Sequence, residues 1–585
     1  MMSRIMGRTW SKWLLIVGAM LVAVIVGLLA YLMTPVPSVE VPTAEQPPFQ
    51  KPVPHSLRGL PYAASEWPSV HGGPANNDYV ATKSGVEFRR EWQALEGMAS
   101  LVAPTTGPEG NLYVSLGNPP GASNLYALDR RGNILWQTPP WQNRDDFDSC
   151  AAFNAPIVDT HGDLYVSDCD QLWAFRPDGV VKWVVELPAP EEGTAYQDID
   201  EELEIFDPEN PTARISVRRR TPMRSFVTAF FTADGSVGGV TVFGDVLIVS
   251  RDTGMPVAAP FRIPGAPPPP PEPPPFDKFM VGMLDGRMIQ PLFDLVVGRT
   301  FKSSNTPAVN ALDGRIFVAA TGSELNTGAL YGLDFVPSAV AGELGVVRLA
   351  TQTLIGKESG SSPSISPDGA NVYLGDETGK LYAIDARSGD VRCTTAEIGI
   401  LAGSPSIGND GTVLVLTGQG AAAIHAHDCK VKWNLDLDWL LDRELPASLE
   451  LLLGDRSVSG GGTIAVTDTG LIMPVLLGYD LSIGGQTLPL AVKQFYVNIH
   501  PETGTLLSGS VPYEAEDSND GWVVPLAGGQ LVFNNGSMRS SLSALFAWLA
   551  NPILSLHDLQ LLTPKGGIES LRAVRFAESD SFSGV

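Results

Sequence analysis

Four cysteines, Cys150, Cys169, Cys393 and Cys429, and the paired histidines His425 and His427 are the side chains of this chain best suited to redox or metal chemistry. No two of the cysteines stand at CxxC spacing, which argues against a zinc site, whereas an even number in an oxidising compartment predicts disulfides. A Cys150–Cys169 bridge would close a short loop worth about 3 kcal/mol in the entropy model. Cys393 and Cys429 fall in neighbouring sequence units, so their bridge would link those units. His425 and His427 stand two apart, on one face if the segment is a strand, but no third ligand accompanies them and a turn or surface role is expected. Asp129, Asp334 and Asp385 recur at the ends of apolar runs. Repetition marks a structural turn residue, since a catalytic base is needed once. Neither a P-loop nor a nucleophile elbow is present. No catalytic residue and no metal ligand is therefore assigned, and cofactor-binding residues stay unassigned.

The elements that carry these residues repeat. A small residue and proline, an apolar residue, an Asp/Asn-Gly turn and an aromatic-centred run appear as APTTGPEGNLYVSL from Ala103 and APIVDTHGDLYVSD from Ala155. The phrase returns as TPAVNALDGRIFVA from Thr306, SPSISPDGANVYLGD from Ser362 and SPSIGNDGTVLVLT from Ser404. Leu112 and Val114 alternate with Tyr113 and Ser115, the period of a strand, and the Gly-containing turns are hairpin chemistry. A unit of about 40 to 55 residues matches a four-stranded propeller blade. Degenerate units from Thr241, Gly461 with Phe495, and Trp522 with Gly566 bring the expectation to an all-β, eight-bladed β-propeller. Its ring would close by one blade taking strands from both chain ends, GGIESLRAV from Gly566 supplying the C-terminal one. Trp136, Trp183 and Trp433 end equivalent units and are expected to pack between blades. Cys393 stands where those units place tryptophan.

Residues 13–33 carry no charge and are long enough to span a bilayer, with Arg4, Arg8 and Lys12 before them and Glu40 and Glu45 after. They predict a retained transmembrane signal anchor after a cytoplasmic 1–12, with a proline-rich linker over 34–64 and the propeller over 65–585. The expected location is the inner (cytoplasmic) membrane, single-pass, with the bulk of the chain periplasmic. A net charge of −25, from 39 basic and 64 acidic residues, argues against a nucleic-acid partner. Arg218, Arg219, Arg220 and Arg224 form the one basic cluster and answer the acids between Asp198 and Glu204. Insertions are expected near 190–225, 258–300, 437–455 and 540–562. The last two read as helical, with Leu542, Leu545, Phe546, Leu549, Ile553 and Leu556 at helical spacing as a candidate partner-binding face.

The units GNLYVSL with NLYALDRRGNILW, and ANVYLGDETGKLYAIDARSGDVRC, resemble the PQQ-like, or quinoprotein-type, β-propeller repeat family, and the WPSVHGGPANNDY opening is similar to the way such domains begin. The resemblance implies a propeller and two possible lives for it. One is a non-catalytic protein-binding scaffold of the cell envelope, similar to the BamB-like outer-membrane-protein assembly scaffolds, with an envelope protein or peptide as partner. The other is a dehydrogenase using PQQ and calcium, whose adjacent-cysteine disulfide and CxxCH haem motif this chain lacks. A sensor of a small ligand or polysaccharide is a further alternative. The scaffold, without a cofactor, is the reading preferred from sequence.

Overall fold

The computed structural model describes most of residues 59–564. Outside the described residues lie 1–58 and 565–585 and, internally, 96–101, 117–122, 142–153, 189–198, 205–213, 220–225, 265–304, 516–522, 536–557 and a few shorter stretches. The anchor expected over 13–33, Cys150, Cys169, the tract from Pro267 to Pro275, and all of Leu542, Leu545, Phe546, Leu549, Ile553 and Leu556 fall outside them. No helix among the described residues is long and apolar enough to cross a membrane.

Each repeat folds into an antiparallel sheet whose first strand is its innermost. In sheet A (105–137) the strands are Thr105–Thr106, Leu112–Ser115, Leu125–Leu128 and Ile134–Gln137, paired in chain order. Sheets B (157–186), C (230–262), D (308–355), E (364–394) and F (406–436) repeat this plan. The second strands are buried on both faces, as Leu112, Tyr113 and Val114 are, because neighbouring sheets cover them. The outer strands alternate: Val181, Val184 and Glu186 are exposed while Trp183 is buried.

Sheet H closes the ring. It joins Val523–Leu526, Gln530–Asn535 and Asp558–Pro564 to the N-terminal strand Phe88–Ala94, with Phe88 opposite Pro564 and Ala94 opposite Leu559. Both chain ends do supply the closing blade, but its C-terminal strand is Asp558–Pro564. The sequence counts residues 558–562 in a helical insertion; they are strand, because the Asn535 edge offers an unsatisfied ladder that an extended segment fills.

The blade count also needs correction: seven sheets, A to F and H, are four-stranded blades, where the sequence predicts eight. The unit expected from Gly461 and Phe495 forms sheet G, which is six-stranded. Its two central strands, Leu471–Ile483 and Gln486–Ile499, are 13 and 14 residues long and overrun the length of a blade. The overhang is paired by Asp455–Gly460, and the inner strand Ala465–Thr467 takes Tyr79–Val80 in parallel.

Three further boundaries shift. Leu60, Tyr62 and Ala63, assigned above to the linker, are buried in the ring. Phe261–Arg262 is the fourth strand of sheet C rather than the start of an insertion at 258. The 190–225 insertion contains a two-stranded ribbon, Ile199–Glu204 against Arg214–Arg219, whose register sets Asp200 opposite Arg218 and Glu204 opposite Arg214. The 437–455 insertion is helical as expected: α1 (Asp438–Glu444) and α2 (Glu450–Leu453) cover sheet G with Leu440, Leu441, Leu445 and Leu449 buried against Leu477 and Tyr479.

Candidate functional site

A propeller's axis is where its innermost strands converge, and here the chain's own N-terminal segment lies across it. From Tyr62 to Thr82 this segment reaches the innermost strand of every sheet. In sheets A and B, Thr106 N–H donates to Trp67 O at 2.8 Å and Val158 N–H to Pro68 O at 3.0 Å. In sheet C, Phe231 N–H reaches the Tyr62 hydroxyl at 3.4 Å. In sheets D, E and F, Val309, Ile365 and Ile407 donate to the carbonyls of Pro74, Ala75 and Asn77 at 2.6, 2.8 and 3.1 Å. In sheet G, Val466 N–H donates to Asp78 O at 2.7 Å, and the Thr82 hydroxyl donates to Leu526 O of sheet H at 3.3 Å. These strands are edges, so without the segment their backbone groups would need another partner.

The side chains of the segment serve the same end. Asn76 Nδ2 donates to the carbonyls of both Thr306 and Pro363, at 3.1 and 3.0 Å. His71 Nδ1 and Asp78 Oδ1 are 2.9 Å apart with side chains 1% and 0% exposed. The Ser406 hydroxyl donates to the other carboxylate oxygen of Asp78 at 3.0 Å. Burial pushes the Asp78 carboxyl above its ordinary value, against the pull of His71 and of hydrogen bonds from His71, Ser406 and Thr463. Through its contacts with His71 and Ser406, Asp78 ties the loop to sheet F. Asn76 and Asp78 take φ of +54°, a conformation their short polar side chains tolerate.

The residues before three of the repeated prolines, Thr306, Ser362 and Ser404, form with Thr228 a second set of bonds, from sheet to sheet around the axis. Thr228 and Thr306 hydroxyls lie 3.2 Å apart, Thr306 N–H donates to Ser362 Oγ at 3.1 Å, and Ser362 N–H donates to Ser404 Oγ at 2.8 Å. Beside the segment, a cleft of about 690 Å³, open solvent included, is lined by His71, Gly73, Asn77, Asn310, Leu312 and Ser366 among others.

Both Asp78 oxygens and the Asn76 amide nitrogen are taken as above, and no group of three His, Cys, Asp or Glu is placed to hold a metal among the described residues. His425 and His427 have ring centres 5.6 Å apart, with His427 exposed beside Asp428. The recurring acids are turn residues. Asp129 accepts from the N–H groups of Arg131 and Asn133, and its side-chain bond to Asn133 lowers its pKa; Asp385 accepts from Arg387, Ser388 and the Arg392 guanidinium, which holds its carboxyl well below the usual range. Asp334 is held by Arg315 at 2.8 Å.

The rim shows how neighbouring sheets are fastened. The indole N–H groups of Trp136, Trp183 and Trp433 donate to the carbonyls of Pro177, Arg251 and Pro501 in the next sheet, at 2.7, 3.0 and 2.8 Å. Each ring lies against a glycine of positive φ, respectively Gly179, Gly254 and Gly504. Trp92, not singled out above, does the same from sheet H to Arg130 and Gly132. Cys393 and Cys429 are joined as a disulfide with Cα atoms 5.8 Å apart, binding sheet E to sheet F.

With this architecture in place, sequence comparison adds likenesses over parts of the chain. Residues 302–479 match the family model described as "Outer membrane protein assembly factor BamB". Over that stretch the propeller is similar to the PQQ-like repeat proteins. Among its relatives, the outer membrane protein assembly factor BamB of Yersinia pestis is 35% identical over 117 residues, 20% of this chain and 28% of the relative's length. Protein Rv3035 of Mycobacterium tuberculosis is 20% identical over 346 residues, 58% of this propeller chain and 68% of that protein. Similar solved structures include BamB from Moraxella catarrhalis, 13% identical with a TM-score of 0.36, covering 83% of this chain and 98% of the other. A quinohemoprotein alcohol dehydrogenase from Pseudomonas putida is 12% identical with a TM-score of 0.45, covering 86% and 81%.

Proposed function

We propose that this PQQ-like propeller is a membrane-anchored, extracytoplasmic scaffold that binds another envelope protein or peptide without catalysing a reaction. The observation that carries the reading is the axial segment from Tyr62 to Thr82, because the polar groups a cofactor would use at the ring's centre are already engaged in holding sheets together. Its sequence likeness to an assembly factor favours a protein partner over a small substrate. The uncharged stretch 13–33 and its basic N-terminal flank favour a single inner-membrane anchor, with the ring on the periplasmic side. The Cys393–Cys429 disulfide accords with an oxidising compartment.

The test pairs two measurements on the full chain, one in intact cells and one on the protein purified in detergent. Crosslinking in intact cells followed by mass spectrometry is expected to recover a reproducible envelope partner. Titration with PQQ and calcium, with dye-linked alcohol or sugar oxidation, is expected to give neither stoichiometric uptake nor turnover. Uptake with turnover would overturn the scaffold reading and make the chain a quinoprotein dehydrogenase. Specific retention of a sugar or other small molecule without any protein crosslink would favour a sensor, for which the cleft beside His71 is the candidate site.

A further inference from the structure

The E–F seam breaks the pattern of the rim in a way that assigns its disulfide a role. In sheets A, B and F the tryptophan at the fastening position faces an alanine of the third strand, Trp136 opposite Ala127, Trp183 opposite Ala174 and Trp433 opposite Ala423, while Trp92 of sheet H faces Leu561. Cys393 faces Ala383 in the same register, followed by the same irregularity in the ladder. The receiving side matches as well. Gly504 donates its N–H to His500 O and has φ of +68°. Cys429 donates its N–H to His425 O and has φ of +56°, one of few non-glycine residues in that region. Both members of the tryptophan–glycine dock are thus exchanged together for cysteine, at the one seam where a disulfide forms among the described residues.

We propose that the Cys393–Cys429 disulfide is a covalent replacement for the tryptophan–glycine dock, and that it makes the outer rim of the E–F seam a redox-operated latch. Two thiols cannot fasten the rim as an indole does: a cysteine side chain is too short to bring a donor to the next sheet's turn carbonyl and has no ring to cover its backbone. The inner part of the seam holds in either state, since Tyr373, Leu381 and Ala383 of sheet E pack with Ile407, Val415 and Ala422 of sheet F. Reduction would therefore loosen the rim and leave the ring closed. Cys429 is 4% exposed whereas Cys393 is half-buried, so the accessible sulfur is that of Cys393. A dithiol's thiolate attacks there and the protein S–S bond breaks, releasing Cys429 as thiolate. The second thiol then displaces Cys393 from the mixed disulfide. The dithiol is oxidised to its disulfide, and its two protons and two electrons end on Cys393 and Cys429.

Hydrogen exchange of the full chain in detergent, oxidised and after dithiothreitol, tests the latch. With reduction verified by thiol counting, amides of 391–394 and 425–431 should exchange at least about tenfold faster, while those around Trp136 and Gly179 keep their rates. The C393S/C429S variant should exchange fast at the seam with or without dithiothreitol, and C393W/C429G should exchange slowly in both, having regained the dock. Unchanged seam exchange in the reduced parent would overturn the latch, whichever variant folds. So would slow exchange in C393S/C429S, or a dithiothreitol response at the seam of that variant, which would come from Cys150 and Cys169. Fast exchange in folded C393W/C429G would overturn the equivalence with the tryptophan dock.

Discussion

Substituting alanine for Gly504 separates the two physical parts of a dock. A Cβ built on Gly504 would stand 2.5 Å from Cε3 and 2.6 Å from Cδ2 of Trp433, and the residue has φ of +68°. The backbone conformation alone costs an alanine about 1–2 kcal/mol. Displacing a packed indole adds about 1–3 kcal/mol, the usual range for overpacking. Gly528 supplies the reference, with φ of +81° and nothing within 4 Å of its Cβ position, so G528A should show the backbone cost only. W433A removes a ring that is 9% exposed and its bond to Pro501 O, and should cost about 3–5 kcal/mol. In the W433A background the steric part of G504A has nothing to act on, so its effect should shrink to that of G528A. Urea unfolding gives the global values. Native-state hydrogen exchange at 500–505 gives the local ones, which matter because a ring of stacked sheets need not unfold in one step. If G504A and W433A add within about 0.5 kcal/mol, the ring and the glycine are not one unit and the dock as described is wrong.

Other consequences are open to simpler assays. D78A should destabilise the ring by about 1–3 kcal/mol, because His71 and Ser406 lose a buried partner, whereas D78N should cost less, since asparagine also tolerates positive φ. Because the folded state raises the Asp78 pKa, it binds a proton more readily than the unfolded state, so this group's contribution falls as pH rises from about 4. Melting temperatures of the parent should therefore drop relative to D78N between pH 4 and 7, and a relative gain would contradict the assignment. Asp385 has the opposite sign: its lowered pKa gives stability that is present above about 4 and lost on acidification, and D385N should remove that acid sensitivity. If residues 13–33 anchor the protein, alkaline carbonate should leave the full chain in the membrane pellet and release a variant lacking residues 1–33.

What could be seen in the sequence was what repeats. Leu112, Tyr113 and Val114 with their Gly-bearing turns announce a strand five times over, and three tryptophans at unit ends announce a seam. Their partners were hidden, because Trp183 meets Arg251 at a separation of 68 residues and no local pattern marks Gly254 as its floor. Sheet G was misjudged because Pro474 and Pro489 interrupt its two long strands, and proline ordinarily argues against a strand interior. The leucines before residue 557 drew residues 558–562 into a helical period, although the strand state of Asp558–Pro564 is set by the distant Phe88–Ala94 and Gln530–Asn535 edges. The axial segment occurs once, with no period to betray it. Asn76 reaches Pro363 across 287 residues and Asp78 reaches Ser406 across 328, so its role exists only after the ring does.

That dependence orders the assembly. The segment's partners in sheets A and B lie within about a hundred residues of it, those in D to F several hundred away, and the closing pair Phe88–Ala94 with Asp558–Pro564 spans nearly the whole described chain. Loop-closure entropy makes the distant pairings late and slow, whereas the near ones form first. The axial segment can thus sit on sheets A and B before D to H exist, offering each later inner strand a row of carbonyls to meet. Closure then joins a C-terminal strand to the strand that leaves this same segment, so axis and clasp are parts of one continuous stretch, Tyr62 to Ala94. A ring built this way has used its centre to hold itself together. On the scaffold reading, the surface left for a partner includes the rim, where among the described residues one seam is fastened by sulfur instead of an indole and is the seam a change of redox state would reach.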